Sequence, residues 1–282
     1  MHVQVNGVRL FFDVEGTGLE PHGPEMLERP TLVLLHGGPG LDHTSFRPEF
    51  SPLSEVAQVI YLDHRGNGRS ERSSPDHWTL AQWGDDVRGF CEALGLERPI
   101  VMGHSFGGMV AMSYATRHPA HVGKLILAGT SARRNLPRML ERFEQIGGAT
   151  VRETARQFWT QPGPATAPAY LQTVWPLYNR TQRDPQATSR AITNPEVLFH
   201  FAAGEQTTYN LVPDLHKIHC PTLVIGGALD PVCPIEDQEE ILAALPERVG
   251  RLERFENCGH SVWRDEPQRA FELLRAFITA RT

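Results

Sequence analysis

The chain has 282 residues and a net charge of −6; it is 40% hydrophobic and 21% charged, which suits one α/β unit with an insertion and excludes wholesale disorder. The acidic balance and the lack of any basic run argue against a nucleic-acid partner. No stretch approaches the roughly 20 apolar residues of a membrane-spanning helix, and Met1 to Phe12 lacks the charged start and apolar block of a signal peptide, so a cytoplasmic protein without membrane contact is expected.

In chain order, Val3–Val5 and Val8–Val14 flank Asn6-Gly7 and predict a hairpin. Gly16 to Pro30, rich in Gly, Pro and Glu, reads as a loop. Short apolar runs at Thr31–Leu35, Val56–Leu62, Ile100–Met102 and Lys124–Ala128 then alternate with helical stretches at Leu80–Leu94 and Met109–Arg117. Wholly apolar strands of this kind are buried on both faces, as in a parallel sheet covered by helices. The rhythm stops between Ala132 and His216, where prolines and aromatic residues replace buried strands. It resumes with strands at Thr222–Ile225 and Arg251–Phe255 and helices at Ile235–Leu245 and Gln268–Ile278. The expectation is an α/β fold with a mostly parallel central sheet, a core of residues 1–131 and 217–282, and a helical lid over 132–216 inserted before the last strands.

Gly103-His104-Ser105-Phe106-Gly107 is a G-x-S-x-G turn between a strand and a helix, the context in which that motif exposes a nucleophilic serine. A serine needs a base to take its proton, and the base needs a carboxylate to orient it. Downstream, Asp230 follows the strand ending at Ile225, and His260 follows the last strand; the order Ser105, Asp230, His260 fits this fold. Asp237 falls within a predicted helix and reads as a solvated face, whereas Asp265 comes after His260, in the wrong order. An oxyanion hole requires two backbone N–H groups. Phe106, next to the serine, offers one, and Gly38 of His36-Gly37-Gly38-Pro39-Gly40 offers the other.

Together these motifs resemble the α/β-hydrolase superfamily. Within it, His36-Gly37-Gly38-Pro39-Gly40 and Asp63-His64-Arg65-Gly66-Asn67-Gly68-Arg69-Ser70 resemble blocks of the proline iminopeptidase family. The resemblance implies Ser105, Asp230 and His260 as the triad, Gly38 and Phe106 as oxyanion donors, no cofactor or metal, and a tight turn at Asp63–Ser70 with Arg65 and Arg69 in ion pairs. Two features depart from that family. It holds the substrate's amine with acidic side chains, one of which in some members follows the triad aspartate, where this chain has Pro231. The lid is also basic, with nine arginines against seven acids. An ammonium in a dry pocket needs a paired carboxylate, so the reading leans toward an ester or lactone, acyl-homoserine lactones included, with an apolar acyl part among lid residues such as Trp159, Trp175 and Tyr178. A prolyl aminopeptidase, with Glu205 turned inward, is the alternative, and a non-catalytic small-ligand receptor on the same fold is a third. The four cysteines, Cys91, Cys220, Cys233 and Cys258, form no CxxC and are expected as reduced thiols, with a Cys233–Cys258 contact left open. The histidines form no HExxH spacing, and the oligomeric state is not legible.

Overall fold

Alternate side chains of a strand point to opposite faces of its sheet. Val33, Leu35, Val101, Leu125, Leu127 and Val224 join one buried cluster, while Leu32, Leu34, Met102, Ile126, Leu223 and Ile225 join another. Both faces are therefore apolar, and both must be covered. The computed structural model describes residues 1–182 and 189–281; Arg183, Asp184 and Pro185 of the insertion lie outside the described residues.

The strands are β1 (His2–Val5), β2 (Val8–Glu15), β3 (Leu19–His22), β4 (Glu25–Glu28), β5 (Thr31–Leu35), β6 (Gln58–Leu62), β7 (Ile100–His104), β8 (Lys124–Ala128), β9 (Thr222–Gly227) and β10 (Gly250–Phe255). Eight of them form one sheet in the order β1-β2-β6-β5-β7-β8-β9-β10. From β6 to β10 the neighbours run parallel, whereas β1 pairs antiparallel with β2 and β2 antiparallel with β6. Among the described residues the helices are α1 (Leu80–Ala93), α2 (Phe106–Arg117), α3 (Leu136–Thr160), α4 (Ala167–Thr173), α5 (Pro195–Ala203), α6 (Ile235–Ala244), α7 (Val262–Asp265) and α8 (Pro267–Thr279). Trp83 and Phe90 of α1, Met112 of α2 and Ile241 of α6 fill the first cluster. Trp263 of α7 and Leu274 and Phe277 of α8 fill the second.

Between β8 and β9 the helices build a core of their own from Phe143, Phe158, Trp159, Tyr170 and Val174. Asn135 caps α3 by accepting from the Arg138 N–H, and the helix bends at Gly148, whose φ of +79° lies outside the helical range.

The structure differs from the sequence reading in three places. Gly16 to Pro30 is not a plain loop, because β3 and β4 pair antiparallel around a turn at Gly23. Every residue of that hairpin is exposed, so no apolar alternation announced it. Helix α2 begins at Phe106 rather than Met109, its first turn disguised by two glycines. Asp237 is buried at 4% exposure and ion-paired with Arg138, not a solvated face of α6.

The Asp63–Ser70 turn carries its expected ion pairs. Arg65 is buried and grips Asp86 of α1 through two bonds of 2.7 Å, and Arg69 meets Asp42 at 2.8 Å. Breaking a buried pair strands the remaining charge. Arg65→Ala is therefore expected to lower the unfolding free energy by about 3–5 kcal/mol in urea titration. Arg9→Ala, which removes an exposed pair with Glu71, is expected to cost below about 1 kcal/mol.

Candidate active site

The parallel strands end together at one rim, where a site on an open α/β sheet belongs. At the end of β7 the chain turns through Ser105 with φ +55° and ψ −121°, a conformation that L-residues rarely adopt. The turn is held by the Ser105 N–H donating to the Ala128 carbonyl at 3.0 Å and the Thr130 hydroxyl donating to the Ser105 carbonyl at 2.7 Å. A Cβ on Gly103 would collide with the backbone of Gly107 and Gly108, and one on Gly107 would collide with the Leu35 carbonyl. The two glycines of the motif are thus required by backbone crowding.

Past β9, Asp230 is fully buried. Its Oδ1 accepts the N–H groups of Val232 at 2.8 Å and Cys233 at 3.0 Å, and its Oδ2 lies 2.7 Å from His260 Nδ1. His260 follows β10 and donates its backbone N–H to the Tyr178 carbonyl at 2.7 Å. Ser105 and His260 line the same cavity, of about 150 Å³, with Gly37, Gly38, Trp175, Tyr178 and Val232. Among the described residues no hydrogen bond joins the serine hydroxyl to the imidazole; such bonds are often long without substrate.

Phe106 opens α2, so its N–H has no acceptor within the helix. Together with Ser105 and Gly38 it lines a second cavity, of about 40 Å³. The loop carrying Gly38 is held from the Asp63–Ser70 turn. Asn67 accepts the Gly40 N–H at 2.6 Å, and His36 Nε2 accepts the His64 N–H at 3.2 Å. Burial pushes both His36 and His64 below the ordinary histidine value, which keeps His36 neutral and able to accept that bond.

A third cavity, of about 1050 Å³, adjoins Gly38 and is walled by Phe158, Trp159, Tyr170, Trp175, Tyr178 and Phe199. Of the aromatic residues named from the sequence, Trp159 lines the second and third cavities, and Trp175 and Tyr178 line the first and third. Glu205 lines none of them. Its carboxylate accepts the Leu80 N–H at the start of α1, 2.8 Å away. All four cysteines are free and buried, and no disulfide joins Cys233 to Cys258. Cys233 lies instead beside Asp230 and His260, the three offering ligand atoms within 4.8 Å of one another. Asp230 is hydrogen-bonded to the His260 ring and to the backbone N–H groups of Val232 and Cys233, and burial holds the Cys233 thiol well above its usual value.

Sequence reasoning missed Asp265. Its Oδ2 accepts from the Gly259 N–H at 2.8 Å and the Asn179 amide at 3.0 Å, and its Oδ1 from the Thr181 N–H at 2.8 Å. It clips the inserted segment to the loop that carries His260. Its partners are mostly backbone groups of residues remote in sequence, which leave no motif. Burial alone would raise this carboxyl, but the Gly259 N–H, the Asn179 amide and the N–H groups of Thr181 and Arg180 hold it below the ordinary aspartate value. A carboxyl depressed in the folded state stabilises above its unfolded value and loses that contribution as the pH falls. Asp265→Ala is expected to unfold about 1–3 kcal/mol more easily at pH 7. The gap should close as the pH falls below about 4, read by urea titration across that range.

The profile of a family described as the alpha/beta hydrolase fold matches residues 30–267. The proline iminopeptidase PfmaB of Pestalotiopsis fici is 27% identical, covering 98% of both chains. A putative carbamate hydrolase of a Caulobacter species is 29% identical over 83% of this chain and 85% of its own. The crystal structure of a proline iminopeptidase from Mycobacterium smegmatis superposes with a TM-score of 0.78 at 21% identity, covering 99% of this chain and 97% of that one. No helix among the described residues is long and apolar enough to cross a membrane.

Proposed function

The chain belongs to the α/β-hydrolase family, and on that footing we propose that it is a serine hydrolase that cleaves a carboxylic ester or lactone, acyl-homoserine lactones included, through an acyl-enzyme on Ser105. The reading rests on one observation above all: the imidazole held by Asp230 at 2.7 Å opens into the cavity that also contains Ser105. His260 takes the Ser105 proton as the hydroxyl attacks the carbonyl carbon. The carbonyl's electron pair moves onto oxygen, where the N–H groups of Gly38 and Phe106 receive it. The tetrahedral intermediate collapses, the bond to the leaving oxygen breaks, and His260 gives its proton to that oxygen. Water, deprotonated by His260, then attacks the acyl-enzyme, the bond from Ser105 Oγ to the acyl carbon breaks, the acid leaves, and His260 returns its proton to Ser105. Asp230 fixes the ring so that Nε2 faces the reaction and stabilises the imidazolium. Residues 132–216 act as a lid, with Trp159, Trp175 and Tyr178 holding apolar substrate.

A prolyl aminopeptidase is the second reading. The name of the relative matched over nearly its whole length favours it, as does Glu49, which lines the Ser105–His260 cavity and whose Oε2 is buried with no partner among the described residues. A carboxylate in such a place is available to an ammonium. Against it stand Pro231 after the aspartate and Glu205 committed to α1.

Ser105→Ala is expected to lower turnover by more than about 10⁴-fold while the melting temperature holds. Wild type should label with a fluorophosphonate and the variant should not. Hydrolysis of short esters and lactones, with slow cleavage of a proline anilide, is the expected specificity. Fast anilide cleavage that disappears when the amine is acetylated would establish the aminopeptidase instead.

A further inference from the structure

The two small cavities at Ser105 differ in one respect that sorts the substrate. Only the first is lined by His260. The imidazole must reach the leaving oxygen, so the leaving group occupies the first cavity. The second cavity is lined by Ser105 and both oxyanion donors but not by the base, so it takes the acyl group.

Besides Ser105, the Trp159 indole and the Cys233 thiol, the polar groups of that second cavity are Ser131, Arg134, Asn135, Gln206, Tyr209 and Asp237. Most of them are satisfied. The Ser131 and Tyr209 hydroxyls bond each other at 2.7 Å, Asn135 caps α3, and Asp237 is paired with Arg138. Burial pushes the Asp237 carboxyl up to about 7 despite that pair, so it adds less than a full negative charge near neutral pH. Two atoms are left over. Arg134 Nε and Gln206 Oε1 are buried and have no partner among the described residues. The guanidinium donates once, to the Trp159 carbonyl at 2.5 Å, and no carboxylate among the described residues pairs with it. Arg134 is only half-buried, but its Nε is shut away from water, and a buried charged N–H without a partner is costly unless an acceptor answers it. A guanidinium edge matches a carboxylate in shape and charge. The Gln206 amide can rotate to present its NH₂ to the same anion.

Size narrows the class further. A water-sized group needs about 10–15 Å³ of such space, so about 40 Å³ admits on the order of three of them. We propose that the acyl group is short and ends in a carboxylate, as in a half-ester of a four-carbon diacid, with that carboxylate on Arg134 and Gln206 and the apolar alcohol in the first cavity, running past Trp175 and Tyr178 toward the aromatic one. This inference rests on the reading of Ser105 as nucleophile and narrows it, since the apolar part of the substrate moves from the acyl to the alcohol side. An ammonium on the acyl side, as in a prolyl substrate, would meet the arginine.

The test compares monobenzyl succinate with benzyl butyrate at pH 7, following benzyl alcohol by chromatography. In wild type, kcat/KM for the half-ester is expected to exceed that for the butyrate by at least about tenfold. Arg134→Gln should reduce the ratio by at least about tenfold, and Arg134→Lys, which keeps the charge but not the fork, should retain part of it. Fluorophosphonate labelling of Ser105 and an unchanged melting temperature certify each variant as folded, and the wild-type ratio needs no variant. A wild-type ratio of one or less, a ratio untouched by Arg134→Gln, or labelling of Ser105 without turnover of the half-ester overturns this inference alone. Neither labelling nor turnover of either ester overturns the reading beneath it as well.

Discussion

The geometry at the rim depends on how closely the backbone crowds itself between β7 and α2. Gly103 faces the carbonyl of Gly107, and Gly107 faces that of Leu35, at separations that leave no room for a methyl group. That closeness brings the start of α2 against the end of β5. The Phe106 N–H and the loop at Gly38 consequently border one small cavity, although 67 residues lie between them in sequence. The positive φ of Ser105 follows from the same bend, and such conformations persist only where the surroundings over-determine them. Here β8 supplies that constraint through Ala128 and the adjoining Thr130.

A second layer of hydrogen-bonded groups keeps the rim in place. Asp63 receives His43 through both its backbone and its ring, and on its other oxygen it accepts the Arg69 N–H. Asn67 bridges the Gly40 N–H and the Arg65 carbonyl. The loop after β5 and the loop after β6 are thereby one hydrogen-bonded body. Arg65 anchors that body to α1 through Asp86. The sequence block that resembles other hydrolases is, in physical terms, the frame of the loop that offers Gly38.

What could be read from the sequence was whatever has a short-range cause. The buried strands announced themselves by unbroken apolar runs, Asn6-Gly7 by its turn chemistry, and Ser105 by glycines that the bend itself demands. Asp230 and His260 followed from strand order, and they do meet. What escaped has causes that span the chain. Asp237 looked solvated because nothing near it in sequence shows that Arg138 arrives from α3 to cover it. Glu205 looked free to enter the site because its actual partner, the first N–H of α1, is 125 residues away. The β3–β4 hairpin escaped for the opposite reason, since it buries nothing and so bears no pattern.

The segment Tyr178–Thr181 is fastened to the loop of His260 at several points: the Tyr178 carbonyl takes the histidine's own N–H, and Asp265 gathers Gly259, Asn179 and Thr181 onto one carboxylate. The inserted segment and the loop that carries His260 are thus mechanically a single piece. The alignment of the imidazole with Asp230 is therefore inherited from residues of the insertion as well as from the sheet, and a change made far out on one is felt at the other.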